Sequence, residues 1–380
     1  MQKRKIPYLL LLLLIFSCKK ENANDNLLAL ALSSSHPNIK KVMDNIDAYE
    51  VQIRYTKIDR IQDSVIFTDY DFQVNSNNYF YPASSVKFPI AVLALERLNQ
   101  TDTIGLNTRY YVEGDSIEST FAEDIIKIFT ISDNMANNRL VELLGQDAIN
   151  NNLAKKGIKP VRIAHRLGYH SEDLVTKPLI IYLNDSTTGI TTPSLNTSPK
   201  PLELDRIKKG KGYIEENLLI EQPFDFSLKN YLPITAQHEV LKRVIFPNLF
   251  HKEERFKITE GQHQFLLNAM QTLPKNAGYD PDEFYDGYCK FFMFGDTKEN
   301  IPGHIKIYNK VGFAYGTLTD IAYITDTLNN VDFMLSATIL VNTNGIFNDN
   351  VYEYDEIGIP FLAELGREIY TLELKRKKLR

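Results

Sequence analysis

The sequence predicts an α+β domain whose antiparallel sheet is assembled from the two ends of the chain and flanked by helices. Two runs rich in β-branched and aromatic residues lie near the start, at 50–58 and 64–74. Three more lie near the end, at 305–315, 319–325 and 331–341, and helical periodicity fills much of the interval between. Strands from both ends must share a sheet, while the intervening helices gather into a mainly helical subdomain, giving one discontinuous domain pair. With 380 residues, 43% of them hydrophobic, the chain is long enough for a substantial core. A net charge of -5 gives no basic footprint for nucleic acid, and Lys375-Arg376-Lys377-Lys378 reads as a solvated helix end.

Taken in order, the first element is a targeting segment. Lys3-Arg4-Lys5 precedes an apolar run, residues 6–16, too short to span a bilayer, so 1–17 reads as a signal peptide and the protein as exported. Ile15-Phe16-Ser17-Cys18 resembles a bacterial lipobox, which makes Cys18 the lipidated first residue of a periplasmic or cell-surface lipoprotein anchored to a membrane. Residues 18–36 then read as a tether, with the folded domain at 37–380. Cys289 is the only other cysteine, so a lipidated Cys18 leaves no partner for an intramolecular disulfide, and its apolar setting suits a packed strand. The seven histidines show no metal-binding spacing, and no cofactor is implied.

Within the domain, Ile39, Val42, Ile46 and Tyr49 predict a helix over 38–49, ahead of the first strand pair. The next helix starts at Ser84-Ser85-Val86-Lys87 and continues through the apolar run 88–98. Pro89 fixes that start, because proline is tolerated in the first turn, where its missing N–H would be unpaired anyway. Residues 122–144 are helical on both sides of Ser132-Asp133-Asn134, which occupies a short connection. Thr259-Glu260-Gly261-Gln262 resembles a capping box ahead of Phe265, Leu266, Ala269, Met270 and Leu273. Residues 184–200 and 208–212 are rich in turn formers, and 359–374 forms a closing helix.

A hydroxyl is a poor nucleophile at neutral pH and needs an adjacent base. Ser84 and Lys87 are three apart, so one helix face carries both, and the free N–H groups of the helix start stabilise developing negative charge. Lys87 acts as a base only if burial and a second cation depress its proton affinity, and Lys310 is the candidate for that cation.

Ser-x-x-Lys, then Ser132-Asp133-Asn134 with Asn138, then Lys310-Val311-Gly312-Phe313-Ala314-Tyr315-Gly316 and Asp320-Ile321-Ala322 is a sequence that resembles class A serine β-lactamases within the penicillin-recognising group. The resemblance covers roughly residues 37–380 and implies a β-lactamase/transpeptidase-like fold. It makes Ser84 the acylated nucleophile, Lys87 the base or proton relay, and Ser132 the proton shuttle to the leaving nitrogen. Asn134 would bind a substrate amide, Lys310 would attract a substrate carboxylate, and backbone N–H groups of Ser84 and Phe313, beside Gly312, would form the oxyanion hole.

Two positions depart from the family pattern. Val311 stands where the family has threonine, and Gly168 stands where the Arg-x-Glu loop places its deacylating glutamate, with Glu172 nearby as a stand-in. The interval from Asn134 to Lys310 exceeds that of compact class A enzymes, which places an insertion at about 184–255. Three functions stay open: a β-lactam-opening hydrolase, a D-Ala-D-Ala peptidase or esterase-like hydrolase with slow deacylation, and a lipid-anchored module that binds without turnover. The first two act on a small β-lactam or a cell-wall peptide.

Overall fold

The computed structural model describes residues 26–62, 64–100, 103–168 and 173–378; the signal segment, Cys18 and Glu172 lie outside the described residues. A five-stranded antiparallel sheet forms the frame, in the order Ile305–Ala314, Thr317–Asp326, Val331–Leu340, Gln52–Ile61, Ser64–Phe72. The N-terminal strand pairs directly with the last long strand, Ile53 opposite Ala337 and Tyr55 opposite Leu335, so the sheet unites the two ends of the chain as the sequence predicts.

Side-chain alternation along these strands feeds two separate cores. Ile53, Tyr55, Phe333, Leu335, Ala322 and Ile324 face one way, against the terminal helices Leu27–Leu32, Pro37–Met43 and Ile359–Lys378. Ile58, Ile321, Tyr323 and Met334 face the other way, toward the helical subdomain of Lys87–Leu98, Phe121–Thr130, Asn134–Leu144, Gln146–Lys155, Ile234–Ile245 and Glu260–Gln271. Thr120 with Glu123 and Thr259 with Gln262 form capping boxes that start two of these helices.

Several elements depart from the sequence expectation. The stretch expected as a tether contains the helix Leu27–Leu32, capped by Asn26 and packed through Leu27, Leu28, Ala31 and Leu32 into the terminal core. The helix expected over 38–49 is two pieces, Pro37–Met43 and Ile46–Tyr49, broken at Asp44-Asn45. Cys289 is buried, but in a turn ahead of the distorted helical turn Phe291–Phe294 rather than in a strand. The stretch expected as an insertion is of two kinds. Ile234–Ile245 belongs to the helical core through Ala236, Val240, Leu241 and Val244. The part before it forms the hairpin Leu179–Asn184/Thr187–Ile190 and the short ladders of Lys208–Lys209, Gly212–Glu215, Leu218–Ile220 and Phe224–Asp225. Its aromatic side chains build a third core in which Phe226 packs on Tyr79, Tyr81, Tyr315 and Phe347. Among the described residues no helix is long and apolar enough to cross a membrane.

Candidate active site

Ser84 lies in the 3-10 turn Ala83–Val86, which runs straight into the helix Lys87–Leu98, so the predicted placement at a helix start is what the fold adopts. Ala83 holds a left-handed φ of 46°, a sharp entry into the turn. The turn is pressed against the edge strand at Gly312, where a Cβ would stand 2.6 Å from Pro82 O, 2.7 Å from Ser85 N and 2.9 Å from Ser84 N. Only a residue without a side chain allows this approach, which is why Lys-Val-Gly and Ser-x-x-Lys meet there.

Ser132 comes from the connection between two helices, where its φ of 59° turns the chain and Asp133 caps the next helix by accepting from Ala136 N at 2.6 Å. Three segments distant in sequence thus converge on one hydrogen-bond chain. Lys87 Nζ donates to Ser132 O, to Asn134 Oδ1 at 2.7 Å and to Ser132 Oγ at 3.4 Å; Ser84 Oγ is not among its hydrogen-bond partners. Lys310 Nζ donates to Ser132 Oγ at 2.7 Å and to Val311 O at 2.7 Å. Lys87 and Lys310 are both buried. Burial, then the Lys310 charge, hold the Lys87 amine well below the ordinary lysine range, and burial brings Lys310 down to about 8.

A cavity of about 380 Å³ opens beside Ser84. Asn134, Leu167, Gly168, Phe313 and Tyr315 line it, and Asn348, Asn350, Tyr352 and Tyr354 close it. This last segment escaped sequence reasoning; its only signal was the turn-rich, aromatic stretch 342–354 between the last strand and the closing helix. Gly316 N donates to the Tyr354 hydroxyl at 2.8 Å, and Asn348 N to that of Tyr352 at 2.7 Å, which fixes the segment to the end of the edge strand. The third core stands behind this wall, with Tyr81 and Tyr315 packed into it.

Gly168 sits in the cavity wall with φ +84° and open space where a side chain would project. Asn138 holds its position, accepting from Leu167 N at 3.0 Å and donating to Leu167 O at 2.8 Å. Arg166 is anchored by Glu142 through Nε–Oε1 at 2.6 Å and Nη2–Oε2 at 2.7 Å. Among the described residues lining the cavity there is no Asp, Glu, His, Lys or Arg. Replacing Asn138 by alanine is expected to cost roughly 1–3 kcal/mol in a urea titration, since both buried Leu167 groups lose their partner. A wild-type midpoint would show that the loop is held elsewhere.

Residues 38–199 match the Beta-lactamase enzyme family. No curated protein sequence matches the chain. Among solved structures it is similar to the TLA-3 extended-spectrum β-lactamase, with a TM-score of 0.54 and 14% identity over 92% of this chain and 98% of that one. A variant of the last common ancestor of Gram-negative class A β-lactamase gives 0.52 and 15%, over 93% and 100% of the two chains. A class A β-lactamase representative from Bacteroides cellulosilyticus gives 0.50 and 14%, over 88% and 98%. The family match is confined to residues 38–199, the part that carries Ser84 and Ser132, while the likeness to the solved structures runs over nearly the whole chain, so the chain has the β-lactamase fold and its amino-terminal part resembles the Beta-lactamase enzyme family.

Proposed function

We propose that this is an exported, Cys18-anchored serine hydrolase whose Ser84 is acylated by a β-lactam or a related cell-wall peptide amide. The observation that carries the reading is the hydrogen-bond chain Lys87–Ser132–Lys310, drawn from three segments and ending beside Ser84. In acylation the neutral Lys87 amine takes the Ser84 hydroxyl proton as Oγ bonds to the carbonyl carbon. The oxyanion develops at the helix start, facing the edge strand at Phe313. As the C–N bond breaks, the Ser132 hydroxyl gives its proton to the leaving nitrogen and regains one from Lys87. Lys310 stays cationic throughout, and burial together with the Lys310 charge keeps Lys87 neutral.

Deacylation is the slow step in this reading. The described cavity wall offers no carboxylate to activate water, and Gly168, where the family resemblance expects a glutamate, lines that wall without a side chain. Val311 is buried in the core against the terminal helices and does not line the cavity, so in this reading Lys310 alone supplies the attraction for a substrate carboxylate.

The test is a chromogenic cephalosporin followed by colour and intact mass together. A burst of colour with a lasting mass increase on Ser84, absent in Ser84→Ala, is the expected result. Rapid continuous turnover would show efficient deacylation, and no reaction at all would refute β-lactam chemistry. The acylation rate is also expected to fall on the alkaline side near pH 8, where Lys310 loses its proton, and on the acid side where Lys87 gains one. A rate still rising beyond pH 9 would contradict the role of Lys310.

A further inference from the structure

The two ends of the large sheet differ in character. Its strands run antiparallel, so the turns at 61–64 and 327–330 project from one end, while the turn at 315–316, with the Ser84 cavity, lies at the other. The strand Thr317–Asp326 joins them, and its ten residues at about 3.3 Å each set the ends about 30 Å apart. At the end remote from Ser84 both turns carry an apolar side chain into solvent: Ile61 is 56% exposed and Leu328 74%.

Basic side chains gather around these two tips. The end of the closing helix is pinned there, Arg376 donating to Asp59 and to Ile58 O at 3.2 Å and Lys377 to Asp332 Oδ1 at 3.3 Å, while Arg60 donates to Asp332 Oδ2 at 2.5 Å. Among the described residues the carboxylates at this end, Asp59, Asp326, Asp332 and Glu373, are all buried, whereas Arg60, Lys375 and Lys378 are exposed. Asp63 and Arg380, outside the described residues, add one charge of each sign. A surface approaching this end therefore meets two apolar tips among cations.

The described chain also begins here. From Leu27 to His36 it runs antiparallel to the closing helix, with Ser34 hydrogen-bonded to Glu368 and His36 3.7 Å from Glu364, which sets Asn26 toward the Lys375–Lys378 end. Cys18 is then within about 29 Å of Asn26 even if the stretch between them is fully extended.

We infer that this end of the domain docks on the bilayer that holds the Cys18 anchor, with Ile61 and Leu328 entering the headgroup layer and Arg60, Lys375 and Lys378 meeting the phosphates of anionic lipids; this rests on the proposed anchoring at Cys18. Each basic side chain near an anionic surface favours binding about fivefold, and the apolar tips gain by leaving water. The Ser84 cavity then opens about 30 Å from the headgroups and faces away from them, toward substrates in the aqueous space rather than in the membrane. A helix end that is merely solvated would instead leave the domain free to turn on the stretch after Cys18, each face meeting lipid equally.

The test places a fluorophore on Leu328→Cys, on Ile61→Cys as a second position at the same end, or on Val351→Cys, an exposed residue of the cavity wall segment at the other end. The full lipidated chain is reconstituted in phosphatidylglycerol–phosphatidylcholine vesicles carrying a headgroup spin label that quenches nearby fluorophores. Quenching is expected at Leu328 and Ile61 and not at Val351. Lys375→Gln/Lys378→Gln should weaken docking about 30-fold, so that the Leu328 signal falls to the Val351 level, and pure phosphatidylcholine should do the same. Equal quenching at both ends overturns the inference, as does no quenching at Leu328 and Ile61, or Leu328 quenching that survives both the double substitution and the neutral lipid. Intact mass reports the lipid on Cys18 separately. A chain lacking it refutes the anchoring, and the Cys18→Ser chain added to the same vesicles then decides the surface: Leu328 quenched by the anionic vesicles alone supports docking, and an unquenched Leu328 overturns it.

Discussion

Replacing Lys87 by methionine is expected to slow acylation of Ser84 by about 10² to 10⁴, the contribution of a well-placed general base. The loss has one source. Lys87 is the amine on the Ser84 helix face, and its partners Ser132 and Asn134 cannot accept a proton in its place. Methionine matches the buried stem in length, and removing a buried amine relieves the cost of holding it out of water while leaving the Ser132 and Asn134 oxygens without their donor. These terms oppose each other, so the thermal midpoint should move little while the chemistry fails. Time-resolved intact mass with a cephalosporin checks this beside a melting curve. A variant acylating at the wild-type rate would remove Lys87 from the mechanism.

Replacing Gly312 by alanine is expected to be nearly as damaging without touching any ionisable group. The added methyl would meet the backbone at Pro82 O, Ser84 N and Ser85 N, all within 3 Å. None of these is the movable end of a side chain, so either the nucleophile turn or the edge strand must retreat. A displacement of about 1 Å at the reacting oxygen costs about 10²-fold in rate, and forcing a methyl into a packed contact costs about 1–3 kcal/mol of stability. Acylation kinetics and chemical denaturation on the same variant measure both, and a fully active, fully stable Gly312→Ala protein would mean that the strand and the turn slide apart freely.

The parts of the molecule legible in the sequence are those where one local rule dominates. The five long strands showed through β-branched runs, the start of Glu260–Gln271 through its capping box, and the nucleophile turn through Ser-x-x-Lys followed by Pro89. What stayed hidden depends on contacts between distant residues. Leu27–Leu32 is too short to announce itself and is held by burial against the closing helix. The short ladders before Ile234 involve two to six residues each, and their aromatic rings show their purpose only when Phe226 is seen against Tyr81 and Tyr315. The wall from Asn348 to Tyr354 read as turns because turn residues are what form it.

The long-range pairing of the sheet also fixes when the candidate site is assembled during synthesis. Gln52–Ile61 waits for Val331–Leu340 as its neighbour, and Lys310, on a strand made late, must arrive before Lys87 faces a second cation. Closing so large a loop is slow compared with forming the local helices. On the proposed acylation chemistry, a nascent chain therefore carries Ser84 unarmed until its carboxyl-terminal strands have docked.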